Sequence, residues 1–121
     1  MCKLKVKDTT LENNLSALEK VYEKLGQQVR EAKSLDWVQV INSDNNMPNL
    51  LIKVGAKNLP AYNMDNPRKE ANEAIKEIQF NNEDLTVVLG SGLGYLTKAI
   101  LDKAEKGHNT IILDPCFYML K

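Results

Sequence analysis

Hydrophobic and polar residues follow three patterns along the chain, and the first predicts a helix. From about residue 10 to residue 33 the apolar side chains recur every three or four positions, which puts them on one helical face. They are Leu11, Leu15, Leu18, Tyr22, Leu25, Val29 and Ala32. A hydroxyl of Thr9 or Thr10 can cap the first free N–H groups. We predict one helix over residues 10–33. We favour packing on its own domain over pairing with another chain, because the stripe is shorter than a coiled coil requires.

The second pattern, over residues 37–62, predicts a small β-meander. Residues 37–41 and 50–54 are apolar runs rich in β-branched side chains, and a third short strand is expected within residues 57–62. Residues 42–49 between the first two runs are dense in asparagine and other turn formers. Trp37 is interpreted as a core or interface anchor rather than as a stacking platform for a ligand.

The third pattern, over residues 66–114, predicts a helix followed by a strand, a glycine segment, a second helix and a second strand. Asn66 can cap a helix that starts at Pro67, and the apolar face of that helix is Ala71, Ala74, Ile75 and Ile78. A strand over residues 85–89 leads into Gly90-Ser91-Gly92-Leu93-Gly94. A helical pattern runs from Tyr95 to Lys106, and a second strand over residues 110–113 ends on Asp114.

This order is that of a partial Rossmann-like βαβ unit, so the fold class predicted for the chain is α/β. Glycines after the first strand allow a tight turn, and a carboxylate at the end of the second strand can bind a ribose hydroxyl. Helix-start N–H groups favour phosphate. The candidate cofactor-binding residues are therefore Gly90, Ser91, Gly92, Gly94 and Asp114.

The glycine spacing leaves two interpretations open, a working nucleotide site and a structural remnant. A dinucleotide fingerprint needs its third glycine at position 95, which is Tyr95 here. The chain resembles S-adenosylmethionine-dependent methyltransferases in Gly-x-Gly-x-Gly and in Asp114, but Val88 stands where those enzymes usually carry an acidic residue. We favour the structural remnant.

Two parallel strands cannot cover both of their faces, and the chain stops seven residues after Asp114. We therefore expect the 121 residues to form a single amino-terminal domain or fragment of a larger protein. Unpaired strand edges and uncovered apolar faces predict that the fragment forms a homo-oligomer.

Composition excludes several functional classes. Sixteen basic and sixteen acidic residues cancel, so there is no electrostatic signature of nucleic-acid or membrane-surface binding. Two cysteines far apart and one histidine, His108, argue against a zinc site and a disulfide framework, and fit a reducing cytoplasm. Ser91 lacks the Gly-x-Ser-x-Gly elbow of a nucleophile, and no catalytic or metal-binding residue is predicted.

Two motifs in order along the chain resemble the amino-terminal region of the motility accessory factor (Maf) proteins. The first is Pro48-Asn49-Leu50 followed by Asn-Pro-Arg-Lys-Glu-Ala at residues 66–71, and the second is Val-Val-Leu-Gly-Ser-Gly-Leu-Gly-Tyr at residues 87–95. The resemblance covers about residues 37–114. Where the family usually reads His-Ser-Lys-Tyr before the proline step, this chain has Tyr62-Asn63-Met64-Asp65.

The resemblance implies a function for the parent protein rather than for these residues. Maf proteins are flagellin glycosyltransferases that transfer nonulosonic acid from a CMP-activated donor to serine and threonine. Their transferase chemistry belongs to a central domain downstream of the matching region. The resemblance therefore implies a non-catalytic amino-terminal domain without a cofactor of its own, with CMP-nonulosonate and flagellin as donor and acceptor of the parent enzyme.

Overall fold

The computed structural model describes residues 8–116, and its secondary structure is mixed α/β. The elements are α1 (Asp8–Val21), α2 (Glu23–Glu31), β1 (Val38–Asn42), β2 (Pro48–Val54), β3 (Lys57–Pro60), α3 (Pro67–Ala74), β4 (Leu85–Leu89), α4 (Tyr95–Lys103) and β5 (Asn109–Leu113). The chain divides into two compact units. One contains α1 and α2, and the other is Leu35–Pro115. Each unit is described by itself.

The first unit is a helical hairpin, so the prediction of one continuous helix over residues 10–33 is wrong. The backbone leaves helical geometry at Tyr22, with φ −137° and ψ 76°, and the second helix packs against the first. Leu15 and Val29 are buried, whereas Tyr22 is 63% exposed although it belongs to the predicted stripe. The helical periodicity is present, but it is divided between two short helices.

Two contacts explain why the chain folds back here. Gly26 lies directly on α1, where an added Cβ would stand 2.8 Å from the backbone N and Cα of Glu19. The guanidinium of Arg30 bridges the two helices, because Nε donates to Glu19 at 2.7 Å and Nη1 donates to Glu12 at 2.7 Å. The absence of a side chain at Gly26 therefore allows α2 to lie directly against α1.

The meander in the second unit agrees with the prediction. β1, β2 and β3 form an antiparallel sheet in that order, with Val40 opposite Leu50 and Ile52 opposite Leu59. The turn between β1 and β2 contains Asn46 at φ 63°, in the left-handed region that asparagine tolerates. Trp37 is half exposed, so it is not a core residue.

Helix α3 starts as predicted and ends earlier than predicted. Asn66 caps it through Oδ1, which accepts the N–H of Lys69 at 2.9 Å, and Pro67 occupies the first turn. The helix ends at Ala74, so Ile78 lies beyond it and is 47% exposed. The prediction that Ala74 and Ile78 belong to the buried face is therefore wrong, whereas Ala71 and Ile75 are buried as expected.

Strands β4 and β5 pair in parallel with α4 between them, as predicted. Val87 is opposite Ile111 and Leu89 is opposite Leu113. One face of this sheet packs on α3 and α4 through a cluster of buried side chains, which are Ala71, Ile75, Phe80, Val88, Ala99 and Ile100. Helix α4 ends at Lys103, three residues before the predicted end at Lys106.

The other face of the β4–β5 sheet carries apolar side chains that are exposed. Successive side chains of a strand point to opposite faces, so the residues on either side of buried Val88 point to this face. Five apolar side chains lie on it, and all five are exposed. They are Leu85, Val87, Leu89, Ile111 and Leu113, which we call the open sheet face. Among the described helices, none has the length and apolar character needed to cross a lipid bilayer.

Candidate functional site

The glycine loop, residues 90–94, begins immediately after β4, and Asp114 follows the end of β5. Because β4 and β5 are parallel neighbours, both segments lie at the same edge of the sheet. Asp114 Oδ2 accepts the backbone N–H of Ser91 at 2.7 Å and its hydroxyl at 2.6 Å. The structure therefore brings together the predicted candidate residues Gly90, Ser91, Gly92, Gly94 and Asp114.

The loop N–H groups are mostly bonded within the protein. Gly90 donates to the carbonyl of Leu113 at 2.7 Å, and Gly94 donates to the carbonyl of Ser91 at 2.9 Å. With the bonds of Ser91 to Asp114 and of Leu93 to Tyr62, four of the five loop N–H groups have a partner inside the described part of the chain. The loop therefore does not present the row of free donors that binds a phosphate.

Tyr62 is the residue at this site that the sequence analysis missed. Its hydroxyl accepts the N–H of Leu93 at 2.8 Å and lies against Gly92, where an added Cβ would overlap the phenolic oxygen. Gly92 also has φ +51°, so both space and backbone conformation favour glycine here. The ring of Tyr62 meets that of Tyr95 edge to face, with centroids 5.2 Å apart.

Asn49 fixes the position of Tyr62. It is fully buried, and its Oδ1 accepts the N–H groups of Leu50 and Tyr62 at 2.7 and 3.2 Å. Its Nδ2 donates to the carbonyl of Tyr62 at 3.0 Å. One residue earlier, the carbonyl of Pro48 accepts the hydroxyl of Tyr95 at 2.7 Å. Two tyrosines and the start of β2 therefore attach the meander to the glycine loop.

Beside the loop, a shallow cleft of about 310 Å³ runs along α3 and α4. Its lining residues are Arg68, Asn72, Leu93, Gly94, Tyr95, Lys98, Ala99 and Asp102. Burial raises the pKa of the Tyr95 phenol, while the nearby Arg68 guanidinium acts in the opposite direction. Lys98 forms an ion pair with Asp102, so its charge is compensated locally. A negatively charged ligand in this cleft would meet the guanidinium of Arg68.

His108 lies at the far end of the strands from Ser91. Its Nδ1–H donates to the carbonyl of Asn81 at 2.6 Å, and its Nε2 is 2.9 Å from the hydroxyl of Thr86. Thr86 pairs with Thr110 near the amino ends of β4 and β5, whereas Ser91 follows the carboxyl end of β4. The two side chains therefore do not form a nucleophile–base pair. Within residues 8–116 no three His, Cys, Asp or Glu side chains are grouped so that they could hold a metal ion.

Comparison of the chain with models of known protein families, with curated proteins and with solved structures identified no match.

Proposed function

We propose that this chain is the non-catalytic amino-terminal domain of a Maf-type glycosyltransferase and that its β4–α4–β5 segment is a Rossmann-like unit kept for structure. The parent enzyme would transfer nonulosonic acid from a CMP-activated donor to flagellin in the cytoplasm. The domain itself would bind neither the donor nor a cofactor. Its task would be to hold the parent enzyme together.

One observation carries this proposal, namely the physical contact between the two motifs of the resemblance. Pro48 and Asn49 come from the first motif, and Leu93 and Tyr95 come from the second. Pro48 accepts a hydrogen bond from Tyr95, and Asn49 positions Tyr62, which in turn accepts the N–H of Leu93. The polar groups of these motif residues form hydrogen bonds within the protein and so stabilise its fold, which supports a structural domain over a catalytic one.

The internal bonding of the glycine loop supports the same conclusion. A ligand phosphate would compete with Tyr62 for the N–H of Leu93, and a ribose hydroxyl would share Asp114 with both donors of Ser91. The free energy lost when a hydrogen bond inside the protein breaks is about equal to the free energy gained from the new bond to the ligand. Binding at this loop would therefore gain little free energy.

Calorimetric titration of the purified chain with CMP, CMP-nonulosonate and S-adenosylmethionine tests the proposal. We expect no saturable heat for any of the three, and no donor hydrolysis above background. Reading the coding sequence beyond Lys121 tests the relation to the parent enzyme, because a Maf-type protein continues into a transferase domain. Saturable donor binding, or a different downstream domain, would contradict the proposal.

A nucleotide-binding or S-adenosylmethionine-dependent methyltransferase fragment is the second candidate function. The observation that favours it is the position of Asp114, whose carboxylate lies at the loop edge where such proteins bind a ribose. This candidate predicts that S-adenosylmethionine binds and that Asp114→Ala abolishes binding. Asp102→Ala, in the cleft outside the loop, is the matched control and should leave that binding unchanged.

A further inference from the structure

The open sheet face has the composition of a covered surface. Leu89 is 80% exposed, and the other four side chains, Leu85, Val87, Ile111 and Leu113, are each about half exposed. Parallel strands occur almost always with both faces covered, and here α3 and α4 cover only one. The five residues form two adjacent apolar rows, because Val87 pairs with Ile111 and Leu89 with Leu113.

The size of this surface is that of an interaction site. Together the five side chains present on the order of 500 Å². The largest apolar patch of a typical monomer is roughly 300–600 Å² and often serves binding. Leaving these residues in water forgoes burial that is favourable for each of them.

We propose that the open sheet face binds the same face of a second copy of this chain, giving a two-fold symmetric dimer. The proposal rests on the assembly role proposed above and names the partner. Complete burial of the face on both copies would remove roughly 1,000 Å² from water, the area at which a specific interface begins. No side chain of the face carries a charge, so identical surfaces can meet without like-charge repulsion. The net charge of zero adds no long-range repulsion between copies.

The geometry of the strands suits this arrangement. Two sheets that pack face to face lie about 10 Å apart, with their inner side chains interdigitated. A symmetric contact needs the same patch on both copies, and the two rows of this face supply it. The strand edges stay outside such a contact, which separates this dimer from one formed by edge-to-edge strand pairing.

Sedimentation equilibrium of the 121-residue chain at micromolar concentration tests the proposal. We expect twice the 13.6 kDa mass of one chain for the wild type. Leu89→Lys should raise the dissociation constant at least about tenfold, because it places a charge at the most exposed side chain of the face. The control is Leu101→Lys on α4, which alters an exposed leucine outside the face and should leave the dimer intact.

Ile111→Thr is a second variant, for the case that Leu89→Lys unfolds the unit. It keeps a β-branched side chain in the strand, so we expect it to fold. It should also weaken the dimer, while circular dichroism stays at the wild-type level. A monomeric wild type overturns the proposal. So does a dimer that both variants leave unchanged, as expected for edge pairing or exchange of the helical hairpin. Neither result alters the titrations with CMP donors, so failure of the dimer and failure of the proposed function can be told apart.

Discussion

The hydroxyl of Tyr62 accepts the backbone N–H of Leu93 at 2.8 Å across 31 residues of sequence. This bond joins the segment after the β-meander to the loop that follows β4. It also occupies a donor that a bound phosphate would need. The unit therefore uses part of its glycine loop as a packing surface for its own tyrosine.

Removing that hydroxyl should loosen the loop. In Tyr62→Phe the ring stays, but the N–H of Leu93 loses its acceptor, so we expect the free energy of unfolding to fall by about 1 kcal/mol. Amide hydrogen exchange at Leu93 should become faster. Chemical denaturation measures the first effect and nuclear magnetic resonance the second. Tyr22→Phe, at a tyrosine 63% exposed, is the control and should change neither.

Gly92 should be the least replaceable glycine of the loop. Gly92→Ala adds a Cβ that overlaps the hydroxyl of Tyr62, whereas Gly55→Ala adds one in open space at a similar φ of +61°. The Gly55 variant should lose only the backbone term, about 1 kcal/mol, and the Gly92 variant about 1–3 kcal/mol more.

A double-mutant cycle with Tyr62→Phe checks this cause, because the overlap is with the hydroxyl. The cost of Gly92→Ala should be smaller in the phenylalanine background. An equal cost in both backgrounds would contradict an overlap with the tyrosine oxygen.

Gly26→Ala should destabilise the helical hairpin, although the same change in an isolated helix stabilises it by about 1 kcal/mol. The reason is the position of Gly26 against the backbone of Glu19, which leaves no room for a methyl group. Far-ultraviolet circular dichroism during thermal unfolding measures the effect. Gln27→Ala, at the exposed neighbouring position of α2, should keep or raise helicity.

The hairpin should lose stability in acid. Hydrogen bonds from Arg30 lower the pKa of Glu12 and of Glu19 below their ordinary value of 4.5. A carboxyl whose folded pKa is lowered stabilises the fold above its unfolded pKa, and this stabilisation is lost as pH falls through the folded value. We expect the α1 and α2 resonances to report a transition below pH 4.5.

Arg30→Gln should remove the interaction that shifts both carboxyl groups. Their titration midpoints should then return towards 4.5, while Arg68→Gln in the other unit leaves them unchanged. Unshifted midpoints in the wild-type protein would contradict the bridging role of Arg30.

Local patterns were sufficient to predict most of the second unit. Apolar runs rich in β-branched side chains predicted β1 and β2, and the Asn66–Pro67 step predicted the start of α3. The apolar runs around the glycine loop predicted the parallel pair. The hairpin was not predictable in this way, because periodicity continues across Tyr22 and the fold-back depends on tertiary contacts of Gly26 and Arg30. Ile78 matches the helical period, but the helix ends before it.

The candidate site was predicted only in its sequence-local part. The glycine loop comes directly after β4 and Asp114 directly after β5, so the parallel pairing of these strands brings the two together. The contacts of Tyr62 with Leu93 and of Tyr95 with Pro48 join segments 31 and 47 residues apart, and no spacing rule connects them. The available signal was the two tyrosines themselves, because a tyrosine that packs inside a protein usually finds a hydrogen-bond partner for its hydroxyl.

The side chain of Asn49 continues the pairing of β2 with β3 beyond the last backbone hydrogen bond between them. The pairing of β2 with β3 ends at Leu51 and Pro60, and the N–H of Ala61 donates to the carbonyl of Leu50 just beyond it. At the next position the side-chain amide of Asn49 bonds to both the N–H and the carbonyl of Tyr62. Aspartate at this position would lack the N–H donor for the carbonyl of Tyr62, and leucine would lack both the donor and the acceptor. Glutamine would add a methylene group to a site that is fully buried. Only one amino acid can act as this surrogate peptide group. The carboxamide of Asn49 therefore lengthens the β2–β3 pairing by one residue position without a backbone hydrogen bond.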